Sequence, residues 1–355
     1  MLTDAQPIQL ESVRPLTLTA GESGGAAGPM FIAAASGLVM AHGRMFVIAD
    51  DQLSLAVFSA PAPTPTDAPP HSSPTQGQEP GPKPAAAQPA HAHGQMHAHP
   101  LIDIGGALPS EHAERKKHKP DWESLLLLDD EVMPPHGALL AVPSGSAANR
   151  TKGSLCRFTS SAGDLAATAT AVDVSALYGV LSQTFAELNI EGGCVGGGRL
   201  TLFQRGNGAA AHNGIVDLDL AGVLEDLRAD GAAVAISPAR VQRLVAVDLG
   251  QLAGVQLGFT DAFRDPQLGT WFLAAAEASA STYADGAYVG SVLGRISDDG
   301  RVQLMRPLRC PFKPEGLWID APTRSFFVVT DADDPENPAI LYRGQLPADA
   351  ASSGP

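Results

Sequence analysis

Apolar residues along this chain come in short runs, many alternating with polar ones, and the runs are separated by Gly, Pro, Asp and Ser. That is the period of half-buried strands with turns between them. One unit is easily traced near the C-terminus. Lys313-Pro314-Glu315-Gly316-Leu317-Trp318-Ile319-Asp320 reads as an acidic residue and a short strand, and Ala321-Pro322-Thr323-Arg324 as a turn. Phe326-Phe327-Val328-Val329-Thr330 then makes a second strand that ends in Asp331-Ala332-Asp333-Asp334. Three more copies follow the same plan. Lys119-Pro120-Asp121-Trp122-Glu123-Ser124-Leu125 leads to a strand over 138–144, and Asn189-Ile190-Glu191-Gly192-Gly193 to one over 200–205. Gly258-Phe259-Thr260-Asp261-Ala262 leads to a strand over 270–277.

The acidic positions Glu123, Glu191, Asp261 and Glu315 lie 191−123=68, 261−191=70 and 315−261=54 residues apart. These gaps exceed the roughly 40–50 residue period of regular propeller repeats, yet each holds material for about four strands. A weaker fifth copy starts at Ser36-Gly37-Leu38-Val39-Met40, runs through Met45-Phe46-Val47-Ile48-Ala49 and ends at Asp50-Asp51, with Ser36 where the acid would be. The pattern predicts an all-β propeller of about five blades, with six as the alternative.

Arg14-Pro15-Leu16-Thr17-Leu18-Thr19 reads as a lone first strand that closes the ring by pairing with Ala339-Ile340-Leu341-Tyr342-Arg343, which removes open sheet edges. Residues 60–99 are rich in Pro, Ala, Ser, Gln and His without apolar periodicity. They read as a disordered insertion inside a single domain that spans 1–355. Val180 to Leu188 fits a short helix or a strand, and Leu220, Leu224 and Leu227 share one side of a short helix that runs to Arg228. Asp299-Gly300 supplies the turn of a hairpin between Leu293 and Val302.

Composition narrows the function. The apolar fraction of 44% suffices for a core, while aromatics at 5% leave it to Ala, Val and Leu. A formal charge of −15 argues against nucleic acid or an anionic membrane as partner and favours cations. Cys156, Cys194 and Cys310 are odd in number and widely spaced, unlike a disulfide framework or a structural zinc site. With no basic-then-apolar start and no membrane-length apolar run, the expected setting is the cytoplasm, as a monomer.

If each acid opens the innermost strand of its blade, Glu123, Glu191, Asp261 and Glu315 converge on the central channel. Like charges in a desolvated space repel unless a cation sits among them, and an all-oxygen set suits Ca²⁺, or Mg²⁺. The competing structural role is a latch, each acid accepting backbone N–H groups from the next blade. Spacing alone does not separate the two. The ends of the second strands carry Asp50, Asp51, Ser144, Arg205, Asn207, Glu277, Asp331, Asp333 and Asp334, which a propeller gathers on one face. Arg205 is the cation among them, fitted either to a carboxylate or phosphate ligand or to a neighbouring acid. Asp331 to Asn337 matches a calcium loop in composition only and reads as a solvated acidic turn. His91, His93, His97 and His99, with His112 and His118, include metal-ligand types in a low-complexity stretch. Gly196-Gly197-Gly198 lacks the Lys-Ser/Thr of a phosphate loop and reads as a hairpin turn.

Trp122-Glu123-Ser124-Leu125, Ile190-Glu191-Gly192-Gly193 and Pro314-Glu315-Gly316-Leu317 resemble the inner-strand signature of the bacterial phytase-like (esterase-like) β-propeller families. With Phe203-Gln204-Arg205-Gly206-Asn207-Gly208 and Thr330-Asp331-Ala332-Asp333, the likeness spans about 30 to 346, apart from the Pro-rich insertion. It implies a propeller with the motif glutamates facing the channel and calcium-assisted hydrolysis of a phosphoester or ester. Asp261 and Ser36 depart from the motif, and the Lys/Arg cluster needed for a highly phosphorylated substrate is missing. On this reading Glu123, Glu191 and Glu315 hold the metal, Asp261 or Glu277 activates water, and Arg205, Asn207 and Asp331 bind a small anionic or metal-bound ligand. The alternatives are a non-catalytic propeller that binds a ligand or protein through the same face, and a glycoside hydrolase with paired carboxylates.

Overall fold

The computed structural model describes residues 5–18, 31–62, 95–97, 108–109, 111–206, 212–229, 231, 233–278, 286–332 and 334–348. Five sheets form, antiparallel apart from one parallel edge pair in each of two of them, and their inner strands are Ala35–Ala41, Trp122–Leu128, Ile190–Gly196, Val255–Asp265 (with the short Gln251–Leu252 paired to its start) and Lys313–Asp320. These five innermost strands touch in cyclic order, the last against the first, so the sheets are the blades of a five-bladed β-propeller.

The core lies between blades. Five apolar clusters occur, one at each interface. Phe46 and Ile48 of blade 1, for example, meet Trp122 and Leu139 of blade 2, all at most 1% exposed. Each such side chain contributes about 1.5–3 kcal/mol by leaving water, and it does so only when the neighbouring blade is in place.

Ring closure uses the N-terminus, in a register that starts earlier than the sequence pattern suggests. Glu11–Pro15 is the outermost strand of blade 5, antiparallel to Ile340–Gln345, with Glu11 opposite Arg343 and Pro15 opposite Ile340. Just before it, Ile8–Gln9 runs parallel to the outer strand Val302–Arg309 of blade 4, so the chain start laces two blades together. A second lacing explains one of the long repeats. After the strand Asn213–Asp219 of blade 3, the helix Leu220–Leu227 leads to Ala233–Ala235, which adds an edge strand to blade 2 parallel to Thr170–Asp173. That helix is capped by Asp219, whose carboxylate accepts the Gly222 N–H at 2.9 Å, and it buries Leu220, Leu224 and Leu227 as their spacing requires. The stretch Val180 to Leu188, expected as a short helix or a strand, is mostly neither: the helix spans Ser175–Leu181, and turns and bends follow it as far as Leu188.

Within the Pro/His-rich segment, Gln95–His97 pairs antiparallel with Leu55–Val57 and completes blade 1 as its fourth strand. That part of the expected disordered insertion is therefore a strand; residues 63–94 and 98–107 lie outside the described residues. Gly196-Gly197-Gly198 makes the tight hairpin between Ile190–Gly196 and Arg199–Gln204, with φ of +62° at Gly197 and +75° at Gly198.

Candidate metal centre at the channel mouth

All five innermost strands slip register by one residue at the same point, a β-bulge. A bulge leaves its extra residue out of the ladder and re-aims its side chain. The residues so placed are Ser36, Glu123, Glu191, Thr260 and Glu315. Two of them staple the ring. The Ser36 hydroxyl donates to the Trp122 carbonyl at 2.5 Å, and the Thr260 hydroxyl to the Pro314 carbonyl at 2.7 Å. Each acceptor is the residue just before a bulged glutamate of the next blade.

The other three converge. Carboxylate oxygens of Glu123, Glu191 and Glu315 all lie within 4.8 Å of one another, and the residues are 8%, 5% and 4% exposed. Asp261 is not the fourth member. It occupies the position after the bulge, where blades 1, 3 and 5 have Gly37, Gly192 and Gly316, and its carboxylate accepts the Leu317 N–H of blade 5 at 2.6 Å. Backbone N–H groups of Ala262 and Gly193 also serve it. Burial raises its pKa well above the usual range, opposed by those three donors. The expected four-acid ring is thus three glutamates at one level and an aspartate latch one residue deeper. The absence of a side chain at Gly192 makes room for it: a Cβ there would stand 2.7 Å from the Asp261 Cα.

Around the triad, acids and cations alternate. Glu191 accepts the Asn189 amide at 2.6 Å and pairs with Arg205 at 3.2 Å; Glu315 pairs with Lys313 at 2.9 Å. Glu277, at the end of the second strand of blade 4, binds Arg205 at 2.7 Å and Lys313 at 3.5 Å. Glu123 has no hydrogen bond or ion pair among the described residues. It shares a second oxygen cluster with Asp50 and Asp121. There the Lys119 ammonium bridges Asp50 and Asp121, and Asp121 also accepts from Arg150 at 2.7 Å and from Ser144. In this set the six carboxylates of Asp50, Asp121, Glu123, Glu191, Glu277 and Glu315 face the four cations Lys119, Arg150, Arg205 and Lys313. With all six ionised, this set would carry two negative charges beyond its cations, a state that burial opposes and a divalent ion would favour.

The titration behaviour follows from this layout. Burial, then the Asp121, Glu191 and Asp50 charges, push Glu123 well above the usual glutamate range, with Lys119 in opposition. Burial also raises Glu315, against the pull of Lys313, and moves Asp50 up to about 6 despite Lys119. At Asp121 and Glu277 burial acts in the same upward sense, but the paired cations outweigh it and hold both below their ordinary values. Lys119, Arg205 and Lys313 lose to burial and gain more from the surrounding acids, so all three are raised and stay protonated.

Of the expected second-strand set, Asp50, Ser144, Arg205 and Glu277 gather at this mouth, and Asp331 lies close enough to raise Lys313 electrostatically. Asn207 and Asp333 fall outside the described residues. Arg205 and Glu277 bind each other, so the guanidinium expected to meet a ligand is engaged by protein carboxylates on two sides. Asp334 accepts the Glu336 N–H and the Asn337 amide, an acidic turn. Among the described histidines, His118 bonds the Glu114 carbonyl of its own helix. Sequence reasoning missed Lys119, Asp121, Arg150 and Lys313. The signal available was the Lys-Pro pair ahead of two of the glutamates, Lys119-Pro120 and Lys313-Pro314.

A family described as of unknown function, DUF6910, matches residues 115–335. The chain belongs to this family. No curated protein matches it. Among solved structures, a luciferin-regenerating enzyme aligns at 9% identity over 89% of this chain and 92% of that one, with a TM-score of 0.41. The periplasmic gluconolactonase PpgL of Pseudomonas aeruginosa aligns at 14% identity over 71% of this chain and 61% of that one, with a TM-score of 0.29. PorZ, a surface component of the type-IX secretion system of Porphyromonas gingivalis, aligns at 13% identity over 91% and 28%, with a TM-score of 0.26. The phytase-like resemblance rests on the short motifs alone. Among the described residues, no helix is long and apolar enough to cross a membrane.

Proposed function

We propose that this DUF6910 protein binds a divalent cation through Glu123, Glu191 and Glu315, and that the bound ion serves hydrolysis of a phosphoester or carboxylic ester at the channel mouth. One observation carries the cation: three buried glutamates within 4.8 Å of one another, of which Glu123 has no side-chain hydrogen bond or ion pair among the described residues. A hard ion with oxygen ligands in flexible geometry fits this donor set, which favours Ca²⁺ over the stricter octahedral demands of Mg²⁺. When bound, such an ion polarises a phosphoryl or acyl oxygen. Arg205 and Lys313 hold Glu191 and Glu315 in place, as outer partners orient metal ligands. Asp50, whose one buried carboxylate oxygen has no hydrogen-bond partner and which clusters with Glu123, accepts the proton of the attacking water. This role passes to Asp50 because Asp261 is bound to backbone N–H groups and Glu277 to two cations.

A second, non-catalytic reading draws on the pairing of Lys119, Arg150, Arg205 and Lys313 with protein acids, which leaves none of them for an anionic substrate. Two measurements separate the readings. Ca²⁺ added to chelator-treated protein raises the melting temperature of the wild type and not of Glu191→Gln; no rise in the wild type rejects the cation site. Turnover of p-nitrophenyl phosphate or p-nitrophenyl acetate with Ca²⁺ then supports hydrolysis. A cation response without turnover leaves a cation-tied binding propeller.

A further inference from the structure

Glu123 belongs to two oxygen clusters at once, the triad with Glu191 and Glu315 and a second one with Asp50 and Asp121. In each, one carboxylate oxygen per residue lies within 4.8 Å of the others. Two-metal hydrolases fill neighbouring positions of this kind with two ions, about 3.5–4 Å apart. Here the second position already has a positive charge in it. The Lys119 Nζ touches Asp50 Oδ2 and lies 2.9 Å from Asp121 Oδ1, and its charge favours the ionised form of Glu123. The chain is folded to bring that lysine in. It follows the helix His112–His118, whose Arg115 holds the Asp51 carboxylate at 2.9 Å and the Asp51 carbonyl at 2.6 Å. The Lys119 N–H donates to the Arg115 carbonyl at 2.8 Å, and the Asp121 N–H to the Asp50 carbonyl at 3.0 Å.

Two groups in this second cluster point to a cation and not merely to hydrogen bonds among acids. Glu123, 8% exposed, has no side-chain hydrogen bond or ion pair among the described residues, and Asp50 Oδ1 is buried without a hydrogen-bond partner. Arg150 binds the other oxygen of Asp121 at 2.7 Å. Without the lysine, three buried acids would face that guanidinium, a state that desolvation opposes and a divalent ion would favour. We infer that Lys119 is a built-in cation: its ammonium fills the second of two neighbouring cation positions that share Glu123, and so limits the mouth to one divalent ion. The limit of one ion rests on the proposed triad site; the occupation of a cation position by Lys119 does not.

The test is a calorimetric titration of the full chain, freed of metal by chelator, with Ca²⁺ alone as probe. Wild type takes up one equivalent. Lys119→Met, similar in length and uncharged, takes up one more, while Lys119→Arg, which keeps the charge, does not. The added equivalent disappears when Asp50→Asn is combined with Lys119→Met, and survives when Glu315→Gln is combined with it instead. Equal uptake by wild type and a folded Lys119→Met overturns the inference, as does the same gain in Lys119→Arg. An added equivalent lost with Glu315→Gln and kept with Asp50→Asn lies in the triad and overturns it too. No uptake by wild type beside one Asp50-dependent equivalent in Lys119→Met rejects the triad site and upholds the built-in cation. If Lys119→Met does not fold in metal-free buffer, folding on addition of millimolar Ca²⁺ supports the inference by mass action, and failure to fold there rejects it.

Discussion

Blades 1 and 4 differ from blades 2, 3 and 5 at one backbone position. At the bulge of the innermost strand the first pair carries Ser36 and Thr260, each spent on a carbonyl of the next blade; the other three carry glutamates aimed at a common centre. A staple and a candidate site are thus two uses of the same bulge, and side-chain length and charge decide which. A short hydroxyl reaches only the adjacent strand. A glutamate reaches past it, toward the two other glutamates, where burial and like charge favour a cation. Asp261 makes the point from the other side: an acid one residue off the bulge becomes a latch on backbone N–H groups.

The largest effect should come from breaking the ionic frame of the glutamate blades. Arg205→Ala leaves Glu191 and Glu277 buried without their shared cation, at a cost of about 3–5 kcal/mol. Arg205→Lys recovers part of this, since an ammonium restores charge but not the two-armed geometry. Urea unfolding measures both; a loss under about 1 kcal/mol in Arg205→Ala would mean the frame is not a stabilising unit. Next comes Gly192→Ala, whose Cβ would stand 2.7 Å from the Asp261 Cα. Overpacking of this kind costs about 1–3 kcal/mol and should disturb the latch. Smaller still are Ser36→Ala and Thr260→Val, which remove one donor from a buried carbonyl each, about 1 kcal/mol apiece. Neither should change the response to Ca²⁺. A lost response in either would erase the distinction between staple and site.

The ring was readable in the sequence because its physics is repetitive: each blade has to bury both faces against neighbours, so period-two apolar runs recur between turns. The glutamates at 123, 191 and 315 were readable for the same reason, as an acid within the first three residues of an innermost strand. The register of blade 4 was not. Asp261 is acidic and Thr260 is not, so charge drew the alignment one residue too far, although Ala35-Ser36-Gly37 already showed that a hydroxyl can hold the bulge position. Lys119 and Lys313 escaped notice because a surface lysine and a buried one look alike until the acids around them are placed.

The smallest change in fold and the sharpest test of the comparison is Glu123→Gln. Glutamine and a protonated glutamate have nearly the same shape, so at acid pH the variant should match the wild type closely. The folded pKa of Glu123 is raised, so above the ordinary glutamate value of about 4.3 the unfolded chain gives up this proton while the folded chain still holds it. The folded state then binds more protons, and stability falls as pH rises through that window, by up to about 1.4 kcal/mol per pH unit for a single group. Asp50, moved from 3.8 to about 6, contributes a fall of the same sign over that interval and remains in the variant. Asp121 and Glu277, held low by their cations, act oppositely and lose stability only at more acid pH. In cation-free buffer, denaturant unfolding from pH 4 to 8 should therefore show wild type and Glu123→Gln together at the acid end and diverging above it, the variant more stable. Ca²⁺ should lift the wild-type curve at high pH and leave the variant's nearly where it was. Parallel curves at every pH would mean that Glu123 is neutralised by something other than a proton or a cation, and the three-glutamate centre would lose its purpose.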